Sequence, residues 1–256
     1  MPYRRAKERQ ITRKAQVGRD TSVSVTFAAV GENAVLPFGA DRALLGWIQT
    51  QAYQDGFIEF ASLRAFLGAF GLSDGGVQYR RFRERVERLS RLSISIEANL
   101  PDDVMITNIS PIKHAYFPKE AAAARARLSH EDAGQLLMIP ERYGFRLDPE
   151  FWAYLRANPV PLPLPLMRVF RTRPKAWDFC QFVLYRCYAA RSRSVVPWRA
   201  FYEQLGSLDK DHRRLKFTLR KILEEIKVVY PNLPADFLEE YRGLQVEHWR
   251  PATLAN

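Results

Sequence analysis

The sequence predicts an α+β chain, mostly helical, folded as two tandem halves behind a basic N-terminal arm. Three observations carry that expectation. The composition is strongly basic, with 47% hydrophobic residues, enough for a core in each half. A break in apolar periodicity at residues 118–134 divides the chain. The two halves also end in the same order: a helix, a shorter helix, a turn, a long basic amphipathic helix, then extended residues.

Charge and cysteine usage narrow the class. Thirty-nine Lys plus Arg stand against twenty-eight Asp plus Glu, a formal net charge of +11 over 256 residues that favours a polyanionic partner. No apolar run approaches the roughly 20 residues of a spanning helix, so no membrane association is expected. The N-terminal MPYRRAKERQITRKAQ lacks the apolar core of a secretory signal, which points to a cytoplasmic protein. Cys180 and Cys187 lie in WDFCQFVLYRCY, which reads as a buried helix; seven residues is too far for a disulfide within one helix. His114, His130, His212 and His248 are scattered without metal-ligand spacing, so neither a metal nor any other cofactor is expected.

The elements follow in order. Residues 1–22 carry Arg4, Arg5, Lys7, Arg9, Arg13, Lys14 and Arg19 with few apolar residues, the composition of a flexible basic arm. The first domain is placed at 23–118. In it ADRALLGWIQTQAY sets Leu44, Leu45, Ile48 and Ala52 on one helical face, and FIEF at 57–60 is strand-like. SLRAFLGAFGL makes a second helix with Ser62 as N-cap and Gly71 near the C-cap, and SDGG turns the chain. From 77 to 92 the apolar stripe Tyr79, Phe82, Val86, Leu89 opposes Arg80, Arg81, Arg88 and Arg91. SISIEA, the turn LPDD and VMITNISPI then form a hairpin, completing the order of a winged helix.

An alanine-rich linker is expected at 119–134, before a second domain at 135–256. LLMIP and GFRL read as strands, and DPEFWAYLRAN as a helix capped by Asp148 with Pro149 at its first position. Prolines 159, 161, 163 and 165 hold NPVPLPLP extended until helix resumes near Pro165. PKAWDFCQFVLYRCYAAR is apolar nearly all round and belongs in a core. VVPWRAFYEQLG is a short strand entering a helix. DKDHRRLKFTLRKILEEIKVVYP then aligns Leu215, Leu219, Ile222, Ile226 and Val229, with Arg213, Lys216 and Arg220 clear of that stripe and Pro231 as the stop. The fold expected is therefore two tandem winged-helix-like domains.

A helix held by an apolar stripe with arginines outward matches the major groove in width and charge, and an arginine fork bonds guanine O6 and N7 together. The DNA-binding residues expected are Arg80, Arg81, Arg88 and Arg91 in the first half and Arg213, Lys216 and Arg220 in the second. Glu84 and Glu87 stand four residues before Arg88 and Arg91, the spacing of a helical ion pair. Arg81 and Arg88 are expected to face outward, so that replacing them weakens DNA binding with little change in stability.

Several phrases, in order from about residue 34 to 231, resemble the RepA-type plasmid replication initiators. They are AVLPFGADRALLGWIQTQA, FLGAFGLSDGG and RFRERVERLSRLSISI in the first half. In the second they are NPVPLPLPLMRVFRTRPKAWDFCQFVLYR, PWRAFYEQLG and FTLRKILEEIKVVYP. Val77 follows the DGG where that family often has a basic residue. The resemblance implies paired winged-helix domains that bind double-stranded DNA at origin repeats, help open the duplex and recruit host replication helicase machinery. It also implies a homodimer that represses its own promoter while monomers engage the origin.

Other classes fit less well. A repressor of the same fold lacks only the initiation step, so fold alone does not separate the two. A nicking enzyme needs a paired histidine metal site and a tyrosine nucleophile, and the sequence has no His-x-His; no catalytic activity is expected. There is no G-x-x-x-x-G-K-[ST] phosphate loop, so origin opening falls to binding and bending. Phe57, Phe60, Phe66 and Phe70 fall where a core needs them, leaving no stacking platform for RNA.

Overall fold

The computed structural model describes residues 1–16, 20–51, 56–60, 63–69, 71–73, 75–116, 143–157, 164–204, 212–238 and 243–250. Its elements run β1 (Gln10–Gln16), β2 (Ser22–Ala29), α1 (Asp41–Gln51), β3 (Phe57–Phe60), α2 (Leu63–Ala69), α3 (Gly76–Ser90), β4 (Leu92–Asn99), β5 (Val104–Ile109), β6 (Ile112–Tyr116) and β7 (Tyr143–Leu147). After these come α4 (Pro149–Ala157), α5 (Leu164–Phe170), α6 (Pro174–Ala189), β8 (Ser194–Pro197), α7 (Trp198–Gln204), α8 (His212–Val229), β9 (Ala235–Phe237) and β10 (Gly243–Val246). The chain is a mixture of helices and antiparallel sheet. That holds to the α+β expectation, although strands contribute more than a mostly helical chain implies.

The two halves repeat one another. α1, β3, α2, α3, β6 and β7 form one unit; α6, β8, α7, α8, β9 and β10 form the other. Their sheets have the orders β3-β7-β6 and β8-β10-β9, so in each the last strand inserts between the first two. Equivalent positions carry equivalent work. Ile58 pairs with Phe145 in one sheet and Val196 with Leu244 in the other, and all four are buried. Phe66 of α2 meets Trp47 of α1 at 4.5 Å between ring centroids, and Phe201 of α7 meets Phe182 of α6 at 5.2 Å.

Local signals explain most element ends. Gly71 takes a left-handed φ of +67°, and its N–H and that of Leu72 donate to the carbonyls of Gly68 and Leu67, closing α2. The Asp148 carboxylate accepts from the Glu150 N–H at 3.0 Å and caps α4. Leu215, Leu219, Ile222 and Ile226 are buried along α8, as are Phe82, Val86 and Leu89 along α3.

Three organisational expectations need correction. Residues 10–16 are not a flexible arm: β1 pairs antiparallel with β2 in a four-stranded sheet of order β1-β2-β4-β5. Charged residues suit an edge strand, which is why the segment resembles a tail in composition. The β4–β5 hairpin belongs to this same sheet, pairing with β2, and is not the wing of the first unit. Thirdly, GFRL is β7, which pairs with β3 and β6, so the first unit extends to residue 147, beyond the expected boundary. The linker at 119–134, LLMIP, Ser62, Phe70, His130 and the prolines at 159, 161 and 163 lie outside the described residues.

The units share one contiguous apolar core. Gly46 lies against Trp177 of α6: a Cβ there would sit 2.3 Å from the ring, so the close approach of α1 and α6 requires glycine. Beside it Arg42, 4% exposed, bonds Asp178 at 2.9 Å across the junction. The Tyr3 ring covers this pair, 4.6 Å from the Arg42 guanidinium, and bonds Asp178 through its phenol. Burial pushes the Asp178 carboxyl up against the opposing pull of Arg42, and pushes the Tyr3 phenol up as well.

Candidate nucleic-acid interface

Each unit presents one long basic helix, and the two are built to the same register. Arg80-Arg81-Phe82 begins the buried stripe of α3 just as Arg213-Arg214-Leu215 begins that of α8. Phe82, Val86 and Leu89 then match Leu215, Leu219 and Ile222, all buried. The shared spacing fixes which side chains are carried away from the core.

On α3, Arg80, Arg81 and Arg83 are exposed. Arg91 is exposed at the helix end, where its guanidinium bonds Glu87 at 2.9 Å and the Glu32 carbonyl at 3.3 Å. Arg88 is not an outward group. It donates from Nε and Nη2 to the two carboxylate oxygens of Asp41, at 2.7 and 3.0 Å, and its guanidinium lies 4.9 Å from the Phe38 ring centroid. Asp41, 1% exposed at the start of α1, also accepts from the Phe38 N–H and lies 3.7 Å from Arg85. A carboxylate this deep needs cationic partners, and α3 packed against α1 supplies them. The expected Glu87–Arg91 pair forms; the expected Glu84–Arg88 spacing is overridden by Asp41.

On α8, Arg213 and Arg220 are exposed, and Lys216 is half-buried with its ammonium 5.0 Å from the Trp198 ring. Arg214 and Lys221, which are absent from the expected set, are exposed beside them. Both positions are legible from the apolar stripe, because both lie off it. Residues 212–221 thus carry five cations and no carboxylate, while Glu224 and Glu225 lie further along. That order opposes the helix macrodipole, which favours acidic residues in the first turn and basic ones in the last, by about 0.3–1 kcal/mol each. Neither α3 nor α8 has an acidic residue in its first turn.

The N-terminal segment adds to this charge. With α6 and α8 it encloses a cleft of about 1050 Å³ lined by Arg4, Arg5, Lys7, Arg13, Arg173 and Lys175, and reaching Thr218 and Ile222 of α8. Arg173 is engaged by Glu225, and Arg13 by the Met1 carbonyl at 2.9 Å. Among the described residues no cluster of three His, Cys, Asp or Glu side chains is arranged to hold a metal, and no helix is long and apolar enough to cross a membrane.

Two basic helices on repeated helix-and-sheet units define a protein built to present cations twice. No family model and no curated protein matches the sequence. Solved structures do match the fold. Crystal structures of domains 2 and 3 of RctB superpose with TM-scores of 0.58 and 0.60 at 12% identity. The first covers 91% of this chain and 79% of the RctB chain; the second covers 94% and 91%. At that identity the likeness is one of fold, and it spans both units.

Proposed function

We propose that this chain is a sequence-specific double-stranded DNA-binding protein that initiates replication by binding repeated sites at an origin, as a plasmid initiator of the RepA type does. The observation that carries the reading is the N-terminal half of α8, where Arg213, Arg214, Arg220 and Lys221 are exposed together on the outward face of one helix. The sheet orders β3-β7-β6 and β8-β10-β9 support a winged-helix reading of both units, with α3 and α8 as the helices that enter major grooves. The fold shared with domains 2 and 3 of RctB spans both units, and with them both helices of the proposed interface. In this reading the protein acts by binding and bending rather than by catalysis, and host helicase and a second copy of the chain are its protein partners.

Arg80, Arg81, Arg91, Arg213, Lys216 and Arg220 remain the proposed contacts, joined by Arg83, Arg214 and Lys221; Arg88 acts through the fold. The test is a mobility shift of the full chain on DNA flanking its own gene, at several salt concentrations, with footprinting. Regularly spaced protection that survives competitor DNA supports the reading. Uniform binding that competitor DNA abolishes contradicts it.

A further inference from the structure

The centre of the outward face of α8 is not a cation but Phe217, 72% exposed. It lies two residues from the buried Leu215 and Leu219, on the side of the helix opposite the apolar stripe. An aromatic side chain left in water forgoes the stabilisation that burial would bring, and the packing among the described residues does not account for it. Its neighbours three and four residues away are Arg213, Arg214, Arg220 and Lys221, every one exposed and basic. A surface made to dock a protein is depleted of charge at its centre. This one is ringed by the groups that neutralise phosphates.

We propose that Phe217 is a specificity-determining contact to the C5-methyl of a thymine in the major groove. The inference rests on the DNA-binding reading of α8 and extends it from affinity to sequence. The thymine methyl is the one apolar group that a base pair presents in that groove, and apolar side chains contact it. The surrounding arginines hold the helix on the backbone while the ring selects the base. The equivalent position of α3, set by the match of Phe82 with Leu215 and Val86 with Leu219, is Glu84. A carboxylate there accepts from cytosine N4 and makes no methyl contact. The two units therefore read unlike sequences, and the site is not a perfect repeat.

The experiment uses the full chain and a duplex it selects from a random pool. Each thymine of the selected site is replaced in turn by deoxyuridine, which lacks only the methyl, and binding is compared for the wild type and Phe217→Ala. The proposal expects one thymine at which the replacement weakens wild-type binding about 4-fold, the worth of a buried methyl. At that position Phe217→Ala does not distinguish thymine from uracil, and its salt slope equals that of the wild type. A Phe217→Ala protein with the wild-type preference at every position overturns the proposal while leaving DNA binding intact. Failure of the wild type to select any duplex overturns the DNA reading, and this inference with it. Because Phe217 is exposed, both proteins should unfold at the same denaturant concentration, which separates a change in base reading from a change in folding.

Discussion

Arg81 and Arg88 look alike in sequence, two arginines on the polar side of one amphipathic helix, yet they do different things. Arg81 is exposed, whereas Arg88 neutralises the buried carboxylate of Asp41. Arg88→Ala should therefore cost about 2–3 kcal/mol in denaturant unfolding, because it removes a two-point charged hydrogen bond from a buried acceptor. Arg81→Ala should stay within about 0.5 kcal/mol; equal effects of the two would refute the assignment. The difference is not legible in the sequence, since Asp41 is 47 residues from Arg88 and the contact exists only once α1 packs on α3. The cysteines, by contrast, are legible, and both are free and buried in α6. Burial raises the Cys187 thiol to about 11 and also raises Cys180. A folded-state pKa above the unfolded value adds stability that is complete below about pH 9 and fades as pH rises toward 11. Unfolding free energy should thus fall over that window, and less so in Cys187→Ala. A thiol reagent at neutral pH should label neither cysteine until denaturant is added.

Elements are legible wherever a local period or cap declares them. The buried stripes of α3 and α8, Gly71 at the end of α2 and Asp148 at the start of α4 all lie where the sequence places them. Pairing between strands is less legible, because it is a non-local choice. LPDD announces the β4–β5 turn, but nothing within the hairpin says that β4 joins β2, or that the charged segment with Arg13 and Lys14 is the edge strand beyond. The junction of α1 with α6 has the same character. Gly46→Ala should destabilise by about 1–3 kcal/mol, since its Cβ meets the Trp177 ring. In a Trp177→Leu background the same substitution should cost little; an undiminished cost would show that the ring is not the obstacle. For the interface, replacing Arg213 and Arg214 together should lower the slope of log affinity against log salt by about one for each phosphate left without its cation. An unchanged slope would mean that α8 does not touch DNA.

At the scale of the whole molecule, the repeat explains why one chain carries two basic helices. Each unit holds its long helix by the same devices: an apolar stripe, an aromatic contact between its first two helices, and a three-stranded sheet closed by its last strand. The Arg42–Asp178 pair and the continuous core tie the units together, so α3 and α8 are presented by one body rather than by tethered domains. On the proposed DNA-binding reading, a rigid pair of helices would bind two sites at a fixed separation and gain affinity from joining them. The most direct test of that account is a footprint of the full chain on a selected duplex, repeated with Arg80 and Arg81 replaced and, separately, with Arg213 and Arg214 replaced. The account predicts two protected patches in the wild type, with a different patch weakened by each variant. A single patch that fades equally with either variant, or no protection at all, would contradict it.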